Sequence, residues 1–360
     1  MEQHTPRLIY DLDLDELTRW VEAQGENPFR ARQIWEGLYR HFWSRPEDFT
    51  TLPKTLRQRL AKAFTFSHLT PVREVASSDG ETHKTLFHLP DGAPVETVRM
   101  RYVKRRTLCI STQSGCAMGC TFCATGQMGL RRHLTASEIV EQVVYYARWL
   151  RQRGERVTNI VVMGMGEPFH NYEATMAALE RLTDPQGFGL GQRRITVSTV
   201  GLVPRIRAFA RSGRQYNLAI SLHAADDDLR SRLLPINRKY PLTALLDAVR
   251  EYIALTHRRV TFEWALIQEV NDTPEQAHRL AALLQGLLAH VNLIPLNPTT
   301  RYPGRASQRK RIEAFCAVLT HHGVPCTVRL RRGIDIQAGC GQLAGQDTSP
   351  LDPGFVLKSW

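Results

Sequence analysis

The spacing of apolar side chains changes twice along the chain and separates three patterns. The first repeats every three to four residues and predicts helices, whereas the second alternates with a period of two and predicts strands. The third repeats a strand, a loop and a helix, as βα units do. We therefore divide the chain into a helical domain at 1–66, a β linker at 67–106, a βα core at 107–345 and a C-terminal tail at 346–360.

The βα core contains six apolar segments that we predict to be strands. They are 107–112, 159–163, 195–198, 218–222, 260–266 and 291–296. A seventh segment at 324–330 is a candidate for one further strand. Because each segment precedes a helical stretch, the strands should run parallel under a layer of helices. Six strands rather than eight predict an α/β fold of the incomplete, TIM-like (βα)6 kind, with ligands at the C-terminal strand ends.

Residues with distinctive chemistry follow these predicted strands. They are a three-cysteine loop after the first, Gly164-Met165-Gly166-Glu167-Pro168 after the second, Ser198 at the third, Ser221-Leu222-His223 at the fourth and Asn297 after the sixth. The C-terminal ends of parallel strands meet at one edge of a sheet. The pattern therefore predicts one site that is built from all of these loops.

The three-cysteine loop carries Cys116, Cys120 and Cys123 with the spacing C-x3-C-x2-C among several glycines. Thiolates at such short intervals can reach one metal centre. Structural zinc normally takes four ligands, and no fourth partner lies nearby in the sequence. An iron–sulfur cubane takes one cysteine per iron. The loop therefore predicts a 4Fe-4S cluster with one iron open to another ligand, with zinc or a chance grouping as the alternatives.

Charge and composition narrow the class of partner. Lys and Arg number 47 against 35 Asp and Glu, a formal charge of +12 with an isoelectric point near 9.6. Such a balance favours an anionic partner, nucleic acid first and an acidic membrane second. No run of about 18 apolar residues predicts a membrane span, and residues 1–15 carry no apolar stretch typical of a secretory signal. Seven cysteines, an odd number, favour a reducing cytoplasm.

Basic residues recur in the helical domain and again in the βα core. They are Arg30, Arg32 and Arg40, then Lys54, Arg57, Arg59 and Lys62, and in the core Arg193, Arg194, Arg309, Lys310 and Arg311. They could hold phosphates, which makes the first 66 residues a candidate RNA-binding domain. The alternative is a set of ordinary solvated helix faces. Cys316 and Cys326, in a predicted helix and a predicted strand, are expected to be buried structural thiols.

One acidic residue interrupts the β linker. Glu96 shares a strand face with Val98, Met100 and Tyr102, where an unpaired carboxylate is costly to bury. Desolvation would make such a group a better base than a surface glutamate. A simple strand-end position is the alternative.

The motifs together resemble a known family. The spacing of Cys116, Cys120 and Cys123 resembles the cluster motif of radical S-adenosylmethionine (SAM) enzymes. Over nearly its whole length the chain is similar to the RlmN/Cfr family of RNA adenine methyltransferases. The stretches that carry the resemblance are CAMGCTFCATG, GMGEP, RRITVST, ISLHA, LLPINRKY, VNLIPLNP and GIDIQAGCGQL. In the last stretch Gln337 and Gly339 depart from the family's usual Asp and Ala.

This resemblance implies roles for individual residues. Cys340 matches the cysteine that carries the methyl group, Cys109 its thiol partner in a transient disulfide, and Glu96 the proton acceptor. Cys116, Cys120 and Cys123 match the ligands of a 4Fe-4S cluster. The residues that match the SAM pocket are Gly166, Glu167, Ser198, Ser221, Leu222, His223 and Asn297.

The same resemblance implies the reaction. C2 of adenine is electron-poor and does not attack a methyl sulfonium, so a radical route is expected, with two SAM molecules per turnover. The implied substrates are 23S rRNA and tRNA, methylated at C2 of one adenine each, with an electron donor such as flavodoxin. The nearest alternative is C8 methylation of rRNA, as in antibiotic resistance. Others are a non-catalytic iron–sulfur RNA-binding protein and a radical SAM enzyme acting on a small molecule.

Overall fold

The central feature of the fold is one long sheet to which strands from both the linker and the core contribute. The computed structural model describes residues 7–329 and 331–345, so the expected tail at 346–360 lies outside the described residues. In chain order the strands are β1 (Arg7–Leu8), β2 (Phe64–Thr65), β3 (Thr70–Ala76), β4 (Thr82–His88), β5 (Pro94–Tyr102), β6 (Arg105–Cys109), β7 (Gln113–Gly115), β8 (Leu130–His133), β9 (Asn159–Val162), β10 (Ile195–Thr199), β11 (Asn217–Ser221), β12 (Val260–Leu266), β13 (Ala289–Pro295) and β14 (Cys326–Val328).

Helices cover this sheet and also make up most of the N-terminal domain. In chain order they are α1 (Leu14–Ala23), α2 (Phe29–Glu36), α3 (Lys54–Ala63), α4 (Ala124–Gln127), α5 (Ala136–Arg151), α6 (Tyr172–Thr183), α7 (Val203–Arg211), α8 (Asp227–Leu233), α9 (Leu242–Thr256), α10 (Pro274–Leu284) and α11 (Arg309–His321). None of these helices is long and apolar enough to cross a membrane.

The six predicted core strands form the parallel part of the sheet. The order along the sheet is β14-β13-β12-β11-β10-β9-β6-β5-β4-β3, and the pairs from β6 to β14 are parallel. The predicted strand at 324–330 is present as β14. The incomplete TIM-like barrel expected from the βα pattern is therefore confirmed.

The β linker is an extension of the barrel sheet. Strands β3 to β6 pair antiparallel, and β6 also pairs in parallel with β9, so β6 belongs to both parts. In this register Val98 lies opposite Cys109, and Cys109 lies opposite Val161. The boundary expected at 106 thus falls within a strand, and the strand that carries Glu96 is fixed directly to the barrel.

Helix starts follow the capping sequences. The Thr135 hydroxyl accepts from Glu138 N–H and the Glu138 carboxylate accepts from Thr135 N–H, a complete capping box. Thr273 accepts from Gln276 N–H at the start of α10, but the Gln276 side chain bonds to Asp226 and Ala225 instead. The capping box at Thr273 is therefore only half formed, because the Gln276 side chain makes tertiary contacts instead.

The N-terminal helices pack onto the barrel through one continuous apolar core that includes Leu17 and Leu56 together with Ile139. Trp35 Nε1 donates to Asp184 Oδ2 at 2.9 Å, and Arg40 Nη2 donates to the Pro185 carbonyl at 2.9 Å. These contacts fix the N-terminal domain against the barrel.

Four of the five arginines named in this domain have protein partners. Arg57 Nη1 donates to the Glu47 carbonyl at 3.5 Å, and Arg59 Nη1 donates to the Gln24 carbonyl. Arg40 binds the barrel loop at Pro185, and Arg30 donates to the Thr51 carbonyl at 3.1 Å and to Gln33. These four arginines are therefore engaged by protein groups. Arg32, Lys54 and Lys62 are exposed.

The expectation for Cys316 and Cys326 is wrong. They lie in α11 and β14 as predicted, but they form a disulfide, and both are only partly buried. The sequence offered no cue to this pair, because ten residues separate them and only the packing of α11 beside β14 brings them together.

Candidate active site

Two clefts open at the C-terminal strand ends and meet at Cys340. The first cleft spans about 960 Å³ and the second about 760 Å³, and both volumes include the open space at the mouth. The first cleft is lined by Cys116, Cys120, Cys123, Gly166, Glu167, Ser198, Ser221, His223, Glu263, Asn297 and Cys340. The second cleft is lined by Met100, Tyr102, Cys109, Met163, Asn297, Arg329, Arg331, Arg332 and Cys340. The convergence of loops that the strand order predicts is therefore present.

The three-cysteine loop is closed by the short antiparallel pair β7–β8. Gly115 has φ +75°, and a side chain there would collide with the carbonyl oxygen of Gly129. Only glycine fits at this crossing, since it tolerates both the left-handed backbone and the close approach. The loop then places Cys116, Cys120 and Cys123 on the wall of one cleft.

The three thiols of this loop fit a cluster that brings positive charge. All three are free cysteines, and burial raises the pKa of Cys116 to about 12 and the pKa of Cys120 and Cys123 in the same direction. Backbone amides already point at the sulfurs, from Met118 to Cys116 and from Gly126 to Cys123. Buried thiolates need compensating positive charge, which the irons of a 4Fe-4S cluster supply.

No group of three or more His, Cys, Asp or Glu side chains within residues 7–329 and 331–345 is arranged to hold a single metal ion. In a cubane each thiolate binds a different iron, so its cysteines need not close on one ion.

The loop after β9 is tied to its neighbours through Gly166 and Glu167. Gly166 has φ +100°, and a Cβ there would come within 2.6 Å of Gln113 Cβ. The Glu167 carboxylate is buried and accepts from the N–H groups of Phe169 and Val200, both at 2.9 Å. Burial raises the pKa of Glu167 to about 7 in spite of these hydrogen bonds. Glu167 thus joins the loops after β9 and β10 at the wall of the first cleft.

The ends of β10 and β11 bring Ser198 and Ser221 together, with 3.4 Å between their hydroxyl oxygens. His223 follows with φ +60°, a left-handed conformation that is costly for a side chain of this size. Burial lowers the pKa of His223 to about 3, so its ring is neutral. Its Nδ1 accepts from Ala265 N–H at 2.9 Å, and Nε2 therefore carries the proton.

Leu222 is the one expected SAM-pocket residue that does not line the first cleft. Its side chain is fully buried in the apolar core. Its backbone contributes instead, because its N–H donates to the Glu263 carbonyl and its carbonyl accepts from Arg230 Nε, both at 3.1 Å.

Asn297 links the first cleft to the Cys340 loop. Its Nδ2 donates to the Cys340 carbonyl at 3.0 Å. Its Oδ1 is buried and has no hydrogen-bond partner among the described residues. A buried oxygen of this kind needs a donor, and a polar ligand such as SAM would supply one. The residues around the first cleft therefore fit both the cluster and SAM.

The second cleft contains Cys109 and Cys340, both free cysteines. Burial raises the pKa of Cys109 to about 12, so it is a thiol until its surroundings change. Tyr102 lies at the outer side, with the guanidinium carbons of Arg332 and Arg105 at 4.5 and 5.0 Å from its ring centre. Aromatic and guanidinium groups arranged in this way can hold an unstacked base and its phosphates.

Glu96 is buried near this cleft but does not line it. It is the third residue of β5, and its Oε1 lies 2.8 Å from Lys84 Nζ. Its Oε2 accepts from the N–H groups of Ala344 and Gly345 at 2.8 and 3.0 Å. The carboxylate is thus paired, and two of its partners follow Cys340 closely in the chain.

Comparisons with known proteins match this architecture. A profile for the radical SAM superfamily matches residues 110–281, and one for the N-terminal domain of ribosomal RNA large subunit methyltransferases matches residues 9–65. The probable dual-specificity RNA methyltransferase RlmN of Chloroflexus aurantiacus is 51% identical over 98% of this chain and 96% of the relative. The chain belongs to the RlmN family of radical SAM RNA methyltransferases.

Two further relatives agree with this assignment. Dual-specificity RNA methyltransferase RlmN 1 of Myxococcus xanthus is 50% identical over 95% of this chain and 96% of the relative. The crystal structure of a radical SAM methyltransferase from Sphaerobacter thermophilus superposes with a TM-score of 0.93 at 54% identity, covering 95% of this chain and all of that one. The family resemblance inferred from the motifs is confirmed, and this family employs a 4Fe-4S cluster and SAM.

Several polar residues of this RlmN-family site were not predicted from the sequence. Arg230 is fully buried and donates to the carbonyls of Val200 and Leu222 and to Asn237 Oδ1. Glu263 is buried in the middle of β12, where Asn292 Nδ2 donates to it at 2.8 Å. A charged residue inside an otherwise apolar strand is a usable cue for Glu263. Lys84 and Arg329 carry no such cue, because only the fold brings them to the site.

The basic residues expected at an RNA surface in the core are mostly engaged or distant. Arg193 and Arg194 directly precede β10, at the opposite end of the strands from both clefts. Arg309 and Arg311 form ion pairs with Glu313 and Asp272, each at 2.7 Å. Arg193 also donates to Gln215, so Arg193, Arg309 and Arg311 are engaged by protein groups, whereas Arg105, Arg331 and Arg332 lie beside the second cleft.

Proposed function

We propose that this chain methylates C2 of one adenine in 23S rRNA, in the peptidyl transferase centre, and of the adenine 3′ of the anticodon in tRNA. The observation that carries the proposal is the position of Cys340, whose side chain lines both clefts. One cleft has a cluster loop and a place for SAM, and the other has a thiol partner and a basic, aromatic wall. A sulfur between them can receive carbon on one side and deliver it on the other.

Cys116, Cys120 and Cys123 would hold the cluster. Gly166, Glu167, Ser198, Ser221, His223 and Asn297 would surround SAM, with Leu222 acting through its backbone. When bound, the cluster and SAM supply the methyl group and a carbon radical, with electrons from a donor such as flavodoxin. The protein's own contribution is position and exclusion of water.

Cys340 carries the carbon in this proposal. Its sulfur first gains a methyl group, and after loss of one hydrogen atom from that group the carbon bonds to C2 of adenine. Glu96 then takes the C2 proton, and the unpaired electron left on the adduct would return to the cluster, so that the link from sulfur to carbon is an ordinary two-electron bond before the next step. Cys109, as a thiolate, attacks Cys340 Sγ, so the S–S bond forms and the bond from sulfur to carbon breaks. The electron pair goes to the carbon, which takes up a proton and becomes the methyl group of the product.

The contacts of Glu96 add a condition to this proposal. Its carboxylate is held by Lys84 and by the N–H groups of Ala344 and Gly345. We infer that bound RNA shifts the segment after Cys340 and exposes the carboxylate. The target adenine must also leave its stack to enter the second cleft. Both RNA classes place the proposed activity in the cytoplasm.

The test is nucleoside mass spectrometry of rRNA and tRNA from a strain lacking this gene, complemented with the wild-type chain or with Cys340→Ala. The expected result is 2-methyladenosine in both RNAs with the wild-type chain and in neither with the variant. Detection of 8-methyladenosine in rRNA would replace this proposal with the C8 alternative. A methyl group in rRNA alone would remove tRNA from the proposed substrates.

A further inference from the structure

Arg329 lies beside Cys340 at the junction of the two clefts. Its backbone N–H donates to the Leu293 carbonyl at 2.8 Å, which continues the pairing of β14 with β13 and fixes its main chain. Its Nη1 donates to Cys340 Sγ at 3.6 Å, within the range of hydrogen bonds to sulfur. Among the described residues this is the only hydrogen bond that the Arg329 side chain makes.

Charged and titratable groups face Arg329 from four other parts of the fold. They are Tyr102 on β5, Cys109 on β6, Glu263 on β12 and Cys340 in its loop. Electrostatic interaction with Cys340 raises the pKa of Arg329, against the effect of burial. The Glu263 carboxylate accepts from Asn292, and no ion pair joins it to Arg329 in the described part of the chain. The Arg329 guanidinium therefore hydrogen-bonds to the Cys340 sulfur and not to a carboxylate.

We propose that Arg329 is a catalytic residue for the transfer of a methyl group to Cys340, by holding the attacking sulfur as an anion. This inference rests on the proposed function, in which Cys340 is the methyl carrier. The nucleophile in such a displacement is the thiolate, and a guanidinium within hydrogen-bond distance stabilises it.

The step balances without an oxidant or a reductant. The Cys340 thiol loses its proton to solvent, and the sulfur's electron pair forms the new bond to the methyl carbon. The bond between that carbon and the sulfonium of SAM breaks, and its electron pair stays on the departing sulfur. The negative charge of the thiolate and the positive charge of the sulfonium cancel when the methyl group is transferred. Arg329 therefore stabilises the thiolate more strongly than the neutral thioether that it becomes.

The two neighbouring arginines do not share this position. Arg332 Nη1 donates to the Arg101 carbonyl at 3.0 Å, and its guanidinium lies against Tyr102. Arg331 lines the second cleft with a buried Nη1 that has no partner among the described residues. Both are placed to meet RNA, whereas Arg329 is placed to meet Cys340.

The first experiment measures how fast iodoacetamide alkylates Cys340 in the cluster-reconstituted full chain without SAM, by peptide mass spectrometry. Arg329→Met should slow alkylation roughly tenfold or more, the size expected for a lost hydrogen bond to a charged group. Arg329→Lys keeps the positive charge but loses the planar set of guanidinium donors. Its alkylation rate should therefore lie between those of the wild type and Arg329→Met. The control is Arg258→Met, which loses a 2.7 Å hydrogen bond to Asn217 at the far end of the strands.

The control should alkylate within about twofold of wild type. Rates for both Arg329 variants within the same margin would overturn the proposal. Should Arg329→Met fail to fold, as judged by its melting temperature and cluster absorbance, Arg329→Lys decides alone. A slower rate in that variant supports the role, and a wild-type rate overturns it.

The second experiment adds SAM without reductant and follows the gain of one methyl group on Cys340 in a single turnover. Arg329→Met should lose rate by the same factor as with iodoacetamide, while binding of SAM stays at its wild-type level. Should the wild-type chain gain no methyl group, the proposed function fails. The iodoacetamide rates would still decide whether Arg329 serves Cys340, so the two failures are distinguishable.

Discussion

The two clefts differ in how their polar groups are satisfied. In the first cleft most of them already have protein partners, such as the amides that hold Glu167 and the Ala265 N–H that holds His223. In the second cleft Arg331 Nη1 has no partner within residues 7–329 and 331–345, and Tyr102 is flanked by Arg105 and Arg332. Preformed polar sites suit one small ligand of constant shape, whereas unpaired cationic groups suit a large anionic one.

Under the proposed function, the two substrates would enter different clefts, and one sulfur would serve both because Cys340 lies on the lining that the clefts share. Cys340 lies on a loop after the last strand of the sheet, and Asn297 Nδ2 and Arg329 Nη1 bond to its carbonyl and its sulfur. Changes in either cleft should therefore affect one half-reaction, and changes at Cys340 should affect both.

The largest effect is expected for Cys340→Ala. Because the sulfur serves both clefts, methylation of RNA should fall below detection. Binding of SAM and the visible absorbance of the cluster should persist, since the cluster ligands are on another loop. Methyl transfer to purified RNA, followed with labelled SAM, measures the loss. Any methylation of RNA by this variant contradicts the two-cysteine scheme.

Cys109→Ala should separate the halves of the reaction by stopping it after carbon transfer. Without a thiol to attack Cys340, the RNA should stay covalently bound to the protein. Denaturing electrophoresis with end-labelled RNA detects this adduct. The double variant Cys109→Ala/Cys340→Ala is the control and should show none. Free methylated product in place of an adduct would remove Cys109 from the scheme.

Asn297 lines both clefts, but the contact that Asn297→Ala removes is expected to belong to the first. Its Oδ1 is buried and has no partner in the part of the chain that the structure describes, so the contact it provides is expected to be made to SAM. Loss of that contact should weaken binding of SAM roughly tenfold. Equilibrium dialysis with labelled SAM measures this, and affinity for a tRNA anticodon stem-loop should stay unchanged. Weaker RNA binding with intact SAM binding would reverse the assignment of the clefts.

Tyr102→Ala is the matching change in the second cleft. Loss of a stacked base costs about 1–3 kcal/mol, so methylation of RNA should slow about fivefold or more. Methyl transfer to Cys340 itself should keep its wild-type rate. Tyr102→Phe retains the ring and should restore most of the activity, which distinguishes stacking from a role of the hydroxyl. A slower methyl transfer to Cys340 in either variant would mean that the two clefts do not act independently.

Sequence alone predicts the parts of this molecule whose chemistry is local or periodic. The strands from β9 to β13 follow from apolar runs, and the cluster loop follows from the spacing of Cys116, Cys120 and Cys123. The residues at the C-terminal strand ends, Ser198 and Asn297 among them, follow from the topology that those runs imply. In each case a short segment carries the whole signal.

The features that sequence missed depend on distant parts of the chain. Lys84 meets Glu96 only because β4 pairs with β5, and it also donates to the Gln337 carbonyl at 3.3 Å. The disulfide between Cys316 and Cys326 requires α11 to pack beside β14. Arg329 and Arg331 look like any other basic residues in the sequence, and only the fold brings them to the second cleft, where Arg332 also pairs with Glu81 at 3.9 Å.

The smallest effect is expected for Gly339→Ala, which acts where the two clefts join. An added Cβ would lie 2.6 Å from Asn297 Nδ2 and 2.7 Å from Gln342 Oε1. Both atoms end side chains and can move away, but the nearest contact must lengthen from 2.6 Å to beyond 3.0 Å. That retreat would lengthen the Asn297 bond to the Cys340 carbonyl, now 3.0 Å.

Binding of SAM to Gly339→Ala should therefore weaken by about threefold or less, below the effect of Asn297→Ala. Trapping of RNA in the Cys109→Ala background should be unaffected, because Cys340 Sγ keeps its place beside Arg329. A tenfold loss would mean that Asn297 is held rigidly and that the first cleft tolerates no movement at its junction with the second. A change in one cleft would then affect the other through the rigid segment at Cys340, and the two clefts would not act independently.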